Sequence, residues 1–182
     1  MASDPALESD ICVACGLCCD GTLFSHAPLR PDEVERARQR GFAIGRPDQS
    51  PRFNLGCVHL CGTKCGVYPD RPHVCGDFKC VNLKAMIDGQ ITPDEARKRV
   101  TQARAAATKA KAEFLPGESF RDARIRLHHA TTQPPTAEAS PLFRLHLGSL
   151  ELILDKYFRA PSTRVFKAGE KNASASMAEE GH

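Results

Sequence analysis

The cysteines are the residues of this chain whose type and spacing could do chemistry. Four lie in the octet CVACGLCC and five lie among glycines and prolines: Cys12, Cys15, Cys18 and Cys19, then Cys57, Cys61, Cys65, Cys75 and Cys80. Such thiols can form disulfides, hold a metal or act as redox nucleophiles. Because nine is an odd number and the first residues lack the basic and apolar regions of a secretory signal, we expect metal ligands.

The octet contains two overlapping CxxC turns, Cys12–Cys15 and Cys15–Cys18. Three thiolates from one loop can grip a tetrahedral zinc ion or three irons of a cubane cluster, and a fourth ligand must come from elsewhere. The segment 57–80 supplies candidates for that ligand. Because neighbouring side chains diverge, Cys19 is expected to serve a second site or the far side of the same one.

Other polar residues of the second cysteine segment are weaker candidates for binding a metal or another ligand. His59 and His73 could each replace a thiolate, but we expect them at the surface or supporting the ligands. Arg71 is expected to fix a turn and cover the site, with the binding of an anionic ligand or cofactor as the alternative.

The cysteine pattern resembles the CxxCxxCC family of YkgJ-type cysteine-cluster domains, which are described as chelators of zinc or iron. The match covers about residues 11–82 and includes Tyr68, Arg71 and Pro72. The resemblance implies eight metal ligands: Cys12, Cys15, Cys18, Cys19, Cys57, Cys65, Cys75 and Cys80. Cys61 is an addition to the motif and is expected not to be a ligand.

The identity of the metal stays open at this point. The spacing of Cys12, Cys15 and Cys18 reproduces the three-ligand grip of ferredoxin loops, and nearby glycines let backbone N–H groups approach inorganic sulfide. These points favour an iron–sulfur cluster. Eight matching cysteines equally allow two tetrahedral zinc sites of four thiolates each.

Two classes of function are compatible with these residues. In the first, the protein carries, stores or senses iron or zinc, or transfers electrons. In the second, it is a cluster-dependent enzyme for oxidoreduction or methyl transfer, since a flagellin-lysine methylating enzyme carries a similar motif. A pocket with an acid or arginine beside an exposed cluster edge would favour the enzyme. Closed coordination by all eight cysteines would favour the first class, which we prefer.

Helices must position these loops. The clearest one covers residues 92–115, with Thr92 as N-cap, Pro93 in its first turn and Glu95 completing a capping box. A second, over 139–158, has five apolar residues on one face: Phe143, Leu147, Leu150, Leu154 and Phe158. We therefore predict a mostly α fold with irregular, metal-organised cysteine-rich loops and little or no β-sheet.

The composition suggests four parts along the chain. They are a flexible tail (1–10), a cysteine-cluster domain (11–90), a helical extension packed on it (91–160) and a disordered tail (161–182). The apolar content of the second part is thin, and a structural metal contributes roughly 10–16 kcal/mol in small domains. We therefore expect the cysteine-cluster domain to fold only with its metal.

The remaining composition limits the choice of partners. The net charge of +3 is too small to indicate a polyanion, and the six bases between Arg97 and Lys111 are expected to form a solvated helix face. No apolar run approaches the roughly 20 residues of a membrane span. We expect a cytoplasmic protein whose partner is a metal ion or cluster rather than a membrane or nucleic acid.

Overall fold

The structure is a computed structural model that describes residues 5–45, 50–132 and 139–166. Within these ranges the chain forms seven α-helices: α1 (Pro5–Cys15), α2 (Val34–Gln39), α3 (His73–Asp77), α4 (Val81–Ile87), α5 (Pro93–Lys111), α6 (Phe120–Thr132) and α7 (Pro141–Tyr157). The strands there are short: β1 (His26–Pro28), β2 (Arg52–Asn54), β3 (Leu60–Cys61) and β4 (Lys64–Cys65). The predicted fold class, mostly α with little β-sheet, is confirmed.

Helix α5 has the predicted N-cap, but the Glu95 carboxylate accepts a hydrogen bond from Arg99 at 3.1 Å instead of completing the predicted capping box. The Thr92 hydroxyl accepts a hydrogen bond from the Glu95 N–H (3.1 Å), and Pro93 occupies the first turn, where a missing N–H costs nothing. A stripe of small residues is buried along one face: Val100, Ala103, Ala107 and Ala110. Small side chains allow close approach, and α5 packs most extensively against α7.

Helix α7 is the second long helix that the sequence predicts. The Ser140 hydroxyl caps it by accepting the Phe143 N–H at 3.0 Å. All five residues of its predicted apolar face are at most 1% exposed: Phe143, Leu147, Leu150, Leu154 and Phe158. None of the helices in the described ranges is both long and apolar enough to cross a membrane.

Helix α6 has no counterpart in the sequence prediction. Its buried residues, Phe120, Ala123 and Ala130, are separated by basic and histidine residues. So narrow an apolar face leaves little periodic signal in the sequence. Tertiary contacts hold the helix instead, since it packs on α7 and Arg124 donates to Glu151 at 2.9 Å.

The main hydrophobic core joins the cysteine-rich part of the chain to the long helices. Ile11, Leu17, Leu83 and Met86 belong to the same buried cluster as the apolar faces of α5 and α7. Three cysteines lie against its edge: Cys15, Cys18 and Cys80. The cluster therefore contains residues of both the predicted cysteine-cluster domain (11–90) and the predicted helical extension (91–160).

A second and much smaller core lies beside β1 and β2, which pair antiparallel with Ala27 opposite Phe53. Its four buried members are Leu29, Ala37, Phe42 and Phe53. Partly buried residues from the second cysteine segment surround them: Cys57, Val67 and Val74. In the described part of the chain, the segment that carries the later cysteines thus packs on a core of four buried side chains.

Residues 5–10 are helical where the sequence predicts a flexible tail, so that prediction is wrong for them. Helix α1 contacts α4 and α5, and Ile11 is buried in the main core. These contacts come from residues far along the chain, which a local pattern does not show. Residues 1–4 lie outside the described residues.

The second cysteine segment, predicted to be irregular, contains several short elements. Strands β3 and β4 pair across a turn at Gly62, whose φ of 64° is a left-handed conformation that favours glycine. Helix α3 spans only His73–Asp77. Elements of two to five residues are too short to show a period in the sequence, and the segment between them is irregular, as the fold class predicts.

The tail predicted to be disordered from residue 161 has defined structure at its start. Pro161–Thr163 form a turn of 3-10 helix, and the N–H groups of Val165 and Phe166 donate to Asp155 at 3.1 and 2.8 Å. The prediction is wrong for these residues because a carboxylate of α7 binds their backbone. The remainder of the tail lies outside the described residues.

Two arginines fasten the loop after the octet to the long helices. Arg159, 3% exposed, donates to Glu151 at 2.6 Å, to Asp155 at 2.8 Å and to the Leu23 carbonyl at 3.2 Å. Arg124 donates to the same Glu151 and to the Thr22 carbonyl. This network ties the loop after the octet to α7, and removal of one partner would leave a buried charge uncompensated.

Candidate metal centre

Helix α1 and the turn after it position the first four cysteines. Cys12 and Cys15 lie about one turn apart on α1, which ends at Gly16 with a φ of 67°. That conformation favours glycine and turns the chain, so that the Cys19 N–H donates to the Gly16 carbonyl at 3.0 Å. Cys18 and Cys19 therefore lie in a tight turn that follows α1, a helix of which only Ile11 is buried.

Main-chain contacts bring the later cysteines to the octet. The Cys57 N–H donates to the Cys19 carbonyl at 2.7 Å, and the Val81 N–H donates to the Phe158 carbonyl at 3.1 Å. The other three cysteines have these places: Cys65 on β4, Cys75 on α3 and Cys80 just before α4. Residues 38 or more positions further along the sequence than Cys19 thus lie near the octet.

Four thiols form an inner set: Cys12, Cys15, Cys18 and Cys80. Burial raises the pKa of Cys12 to about 11 and that of Cys15 to about 12, and it raises the pKa of Cys18 well above the usual range. Among neighbouring charges, Cys80 makes the largest contribution to the increase at each of these three cysteines. The four thiols are therefore electrostatic neighbours.

Four other thiols form an outer set: Cys19, Cys57, Cys65 and Cys75. Burial raises the pKa of Cys19 to about 11 and that of Cys75 to about 12, and it also raises the pKa of Cys57. The charges of Cys57 and Cys65 add to the increase at Cys19 and at Cys75. The largest charge effect on the pKa therefore comes from Cys80 at Cys18 and from Cys57 at Cys19, and smaller effects cross between the two sets.

Backbone N–H groups already point at sulfurs of both sets. The Leu17 N–H donates to the Cys15 sulfur, and the His59 N–H donates to the Cys57 sulfur. The N–H groups of Asn82 and Leu83 donate to the Cys80 sulfur. Each bond favours the thiolate and opposes the effect of burial on the pKa. Sets of four thiolates with N–H donors suit zinc or iron in their chemistry, so these residues fit a thiolate-bound metal.

The raised pKa values predict that the metal-free protein becomes less stable as the pH rises above about 9. Unfolded thiols ionise near the usual value of 9.0, whereas folded Cys12 and Cys15 hold their protons to about 11 and 12. The folded state then binds more protons than the unfolded state, so its stability falls with pH. Urea unfolding at pH 8 and pH 10.5 measures the effect. The metal-loaded protein is the control, because its ligands are already thiolates, and an equal loss there would contradict the prediction.

A cavity of about 380 Å³ opens beside the outer set. Five cysteines line it: Cys12, Cys19, Cys57, Cys65 and Cys75. Phe42, Phe53 and Leu55 give it an apolar wall, and Arg71 and Lys79 contribute two cations to its lining. The Lys79 ammonium also pairs with Glu8 at 2.6 Å, which connects α1 to the segment before Cys80.

Arg71 is held against this cavity by its own turn. Its guanidinium carbon lies 3.8 Å from the centre of the Tyr68 ring, and the group donates to the Tyr68 carbonyl at 2.7 Å. Gly76 packs on it closely, since a Cβ there would lie 3.5 Å from two guanidinium nitrogens. The charge of Arg71 acts to lower the pKa of Cys12 and Cys75, against the larger effect of burial. Arg71 is therefore placed to stabilise charge on thiolates.

The remaining candidates lie outside both thiol sets. Cys61 is exposed on β3. The His59 ring packs 4.7 Å from Phe42, and its buried Nε2 has no hydrogen-bond partner among the described residues. In the parts of the chain that the structure describes, no three Cys, His, Asp or Glu side chains stand in a ready-made arrangement for a metal ion. The assignment of individual ligands stays a prediction.

Glu33 supports the site and was not a candidate in the sequence. Its carboxylate, 5% exposed, accepts the His73 N–H at 2.7 Å and the Arg30 N–H at 3.1 Å. Burial acts to raise the pKa of Glu33, but these hydrogen bonds outweigh it and the pKa is lowered. The bond to His73 fixes the start of α3, which carries Cys75. The sequence signal was weak, because an acid in the first turn of a helix is common.

Replacing this carboxylate is expected to loosen Cys75. In Glu33→Ala, the two N–H groups lose their acceptor, at a cost of about 1–3 kcal/mol in the free energy of unfolding. The outer set should then lose metal affinity while the inner set keeps it, as measured by zinc titration. Glu35→Ala is the matched control, because Glu35 is exposed and bonds only neighbours on α2, Arg38 and Gln39. Equal effects of the two substitutions would count against a positioning role.

Fold and site together define a class: a helical domain whose cysteine-rich loops assemble thiolates for a metal. The chain belongs to the CxxCxxCC family, whose model, described as "Putative zinc- or iron-chelating domain", matches residues 11–111. The match reaches further than the resemblance in the cysteine segments, because it also takes in α4 and α5. No curated protein and no solved structure matches the chain significantly.

Proposed function

We propose that the protein binds an iron–sulfur cluster through these cysteines and acts as a metal or cluster carrier, a sensor or an electron-transfer module. One observation carries the proposal: the eight family-matching thiols lie together, five lining one cavity and three at the adjoining edge of the core, with backbone N–H donors at the sulfurs of Cys15, Cys57 and Cys80. Soft thiolate sets select zinc and iron–sulfur centres over hard cations. Zinc is the alternative occupant.

The size of the cavity supports a cluster at the outer set. Its volume of about 380 Å³ is many times the roughly 30 Å³ that one water molecule occupies in the liquid. The space is therefore large enough for a cluster with its sulfides as well as for a single ion with solvent. Arg71 and Lys79 would offset the negative charge that several thiolates and sulfides bring together.

The chain's own residues would set the properties of the bound group. A cluster supplies a one-electron couple whose potential depends on hydrogen bonds to sulfur and on solvent access. The N–H groups of Leu17 and His59 would tune that potential at the inner and outer sets respectively. Phe42, Phe53 and Leu55 would exclude water from one side of the outer set.

Purification without oxygen tests this proposal. We expect brown protein with a broad visible absorption band that dithionite bleaches, together with iron and acid-labile sulfide. Cys19→Ser should lose part of the colour, and Cys61→Ser, the matched control, should keep all of it. Colourless protein with stoichiometric zinc and no sulfide would establish the alternative.

An enzyme that uses the cluster is the second candidate, and the cavity is the observation that favours it. An open space lined by thiols, with Arg71 beside them, meets the condition for a ligand pocket at a cluster edge. Arg71 would bind an anionic group of that ligand. Native mass spectrometry of anaerobic protein should then show a small molecule beyond metal and sulfide, and Arg71→Ala should release it. A mass that metal and sulfide account for fully would favour the carrier.

A further inference from the structure

We infer that the two thiol sets differ in metal exchange. The outer set is a transfer site that hands its metal to small thiol or chelator acceptors, and the inner set is a structural site that keeps its metal. The inference rests on the proposed function, since it concerns the same cysteines. It adds that the two sets of cysteines have different roles.

Access distinguishes the outer set. All four of its thiols line the open cavity, and Cys75 is exposed at its side. An incoming ligand can therefore reach a metal at the outer set without unfolding the protein. Arg71 in the cavity lining would attract an anionic acceptor, whereas Lys79 is paired with Glu8, which lines the same cavity.

Burial distinguishes the inner set. Three of its four thiols, Cys15, Cys18 and Cys80, pack against the main hydrophobic core. The loop that follows the octet is held by Arg124 and Arg159 to α7. Cys12 alone of this set lines the cavity, so an acceptor that displaces it still faces three shielded bonds. Release of the inner metal therefore requires opening of the core.

Transfer at the outer set is a ligand exchange without a change in oxidation state. A metal–sulfur bond to the acceptor forms as the bond to one cysteine, such as Cys75, breaks. The proton that the acceptor thiol loses passes to the freed cysteine. Repetition of this step moves the ion to the acceptor and leaves the outer cysteines as thiols.

Zinc provides a probe for this difference. Protein loaded with zinc is mixed with excess pyridylazoresorcinol, a dye that changes colour when it binds zinc. We expect two phases of equal amplitude, with the first faster by about tenfold or more because the second awaits opening of the core. Cys75→Ser should remove the fast phase and keep the slow one, and Cys61→Ser should keep both. Protein reconstituted with iron allows the same experiment with bathophenanthroline.

A mild change in the core tests the structural role of the inner set. Ile11→Val removes one methylene from the main cluster, next to Cys12 in sequence. It should accelerate the slow phase and leave the fast phase unchanged. A single phase, loss of the slow phase in Cys75→Ser, or equal acceleration of both phases would overturn the inference. A chain that takes up neither zinc nor iron would contradict the proposed function itself.

Discussion

Removal of the metal is expected to unfold residues 26–78 while α5 and α7 stay folded. Among the residues of this segment that the structure describes, four apolar side chains are buried: Leu29, Ala37, Phe42 and Phe53. Burial of a large apolar side chain contributes about 1.5–3 kcal/mol, whereas ordering about fifty residues costs roughly 1–2 kcal/mol of backbone entropy for each. The small core cannot offset that cost alone. A structural metal contributes roughly 10–16 kcal/mol, which is enough to decide the outcome.

The residues expected to unfold, 26–78, are fewer than those of the predicted cysteine-cluster domain, 11–90. Ile11, Leu17, Leu83 and Met86 belong to the main core, and their burial does not depend on a metal. Hydrogen exchange with and without chelator measures the result for each segment. Exchange should become fast at β1, β2 and α3 and stay slow at α5 and α7. Equal protection in both forms would show that the small core is stable without metal.

The second large effect is expected from single cysteine substitutions. The Cys18→Ser variant should lose the metal of the inner set, and the Cys57→Ser variant should lose the metal of the outer set. Each substitution removes one thiolate from a set of four. Cys61→Ser should leave the metal content unchanged, since Cys61 is exposed and outside both sets. Metal analysis per folded chain, with circular dichroism to verify folding, gives the stoichiometry.

Double substitutions test whether the sets are real units. Cys12→Ser combined with Cys18→Ser should lose no more metal than either alone, because both act on the inner set. Cys18→Ser combined with Cys57→Ser should lose both centres. If Cys61→Ser loses as much metal as Cys15→Ser, the ligand assignment is wrong. If every pair of substitutions is additive, the eight thiols do not form two sites.

The sequence by itself determined the parts that depend on local physics. Thr92 and Ser140 cap α5 and α7 because a hydroxyl there accepts an orphan N–H of the first turn. The buried face of α7 could be listed from its 3.6-residue period. The density and spacing of the cysteines indicated thiolate metal chemistry, because disulfides and core packing each require a different pattern.

The tertiary structure decided which thiols are neighbours. Cys18 and Cys19 are adjacent in sequence, yet Cys80 lies beside the first, and Cys57 and Cys65 beside the second. That division depends on where α4 docks and on the bond from the Cys57 N–H to the Cys19 carbonyl. Likewise, α1 and α6 are stabilised by contacts with α5 and α7 rather than by strong patterns of their own. Interactions between residues far apart in the chain leave no periodic trace in a single sequence, because each side chain's partner is set by the packing of the whole chain.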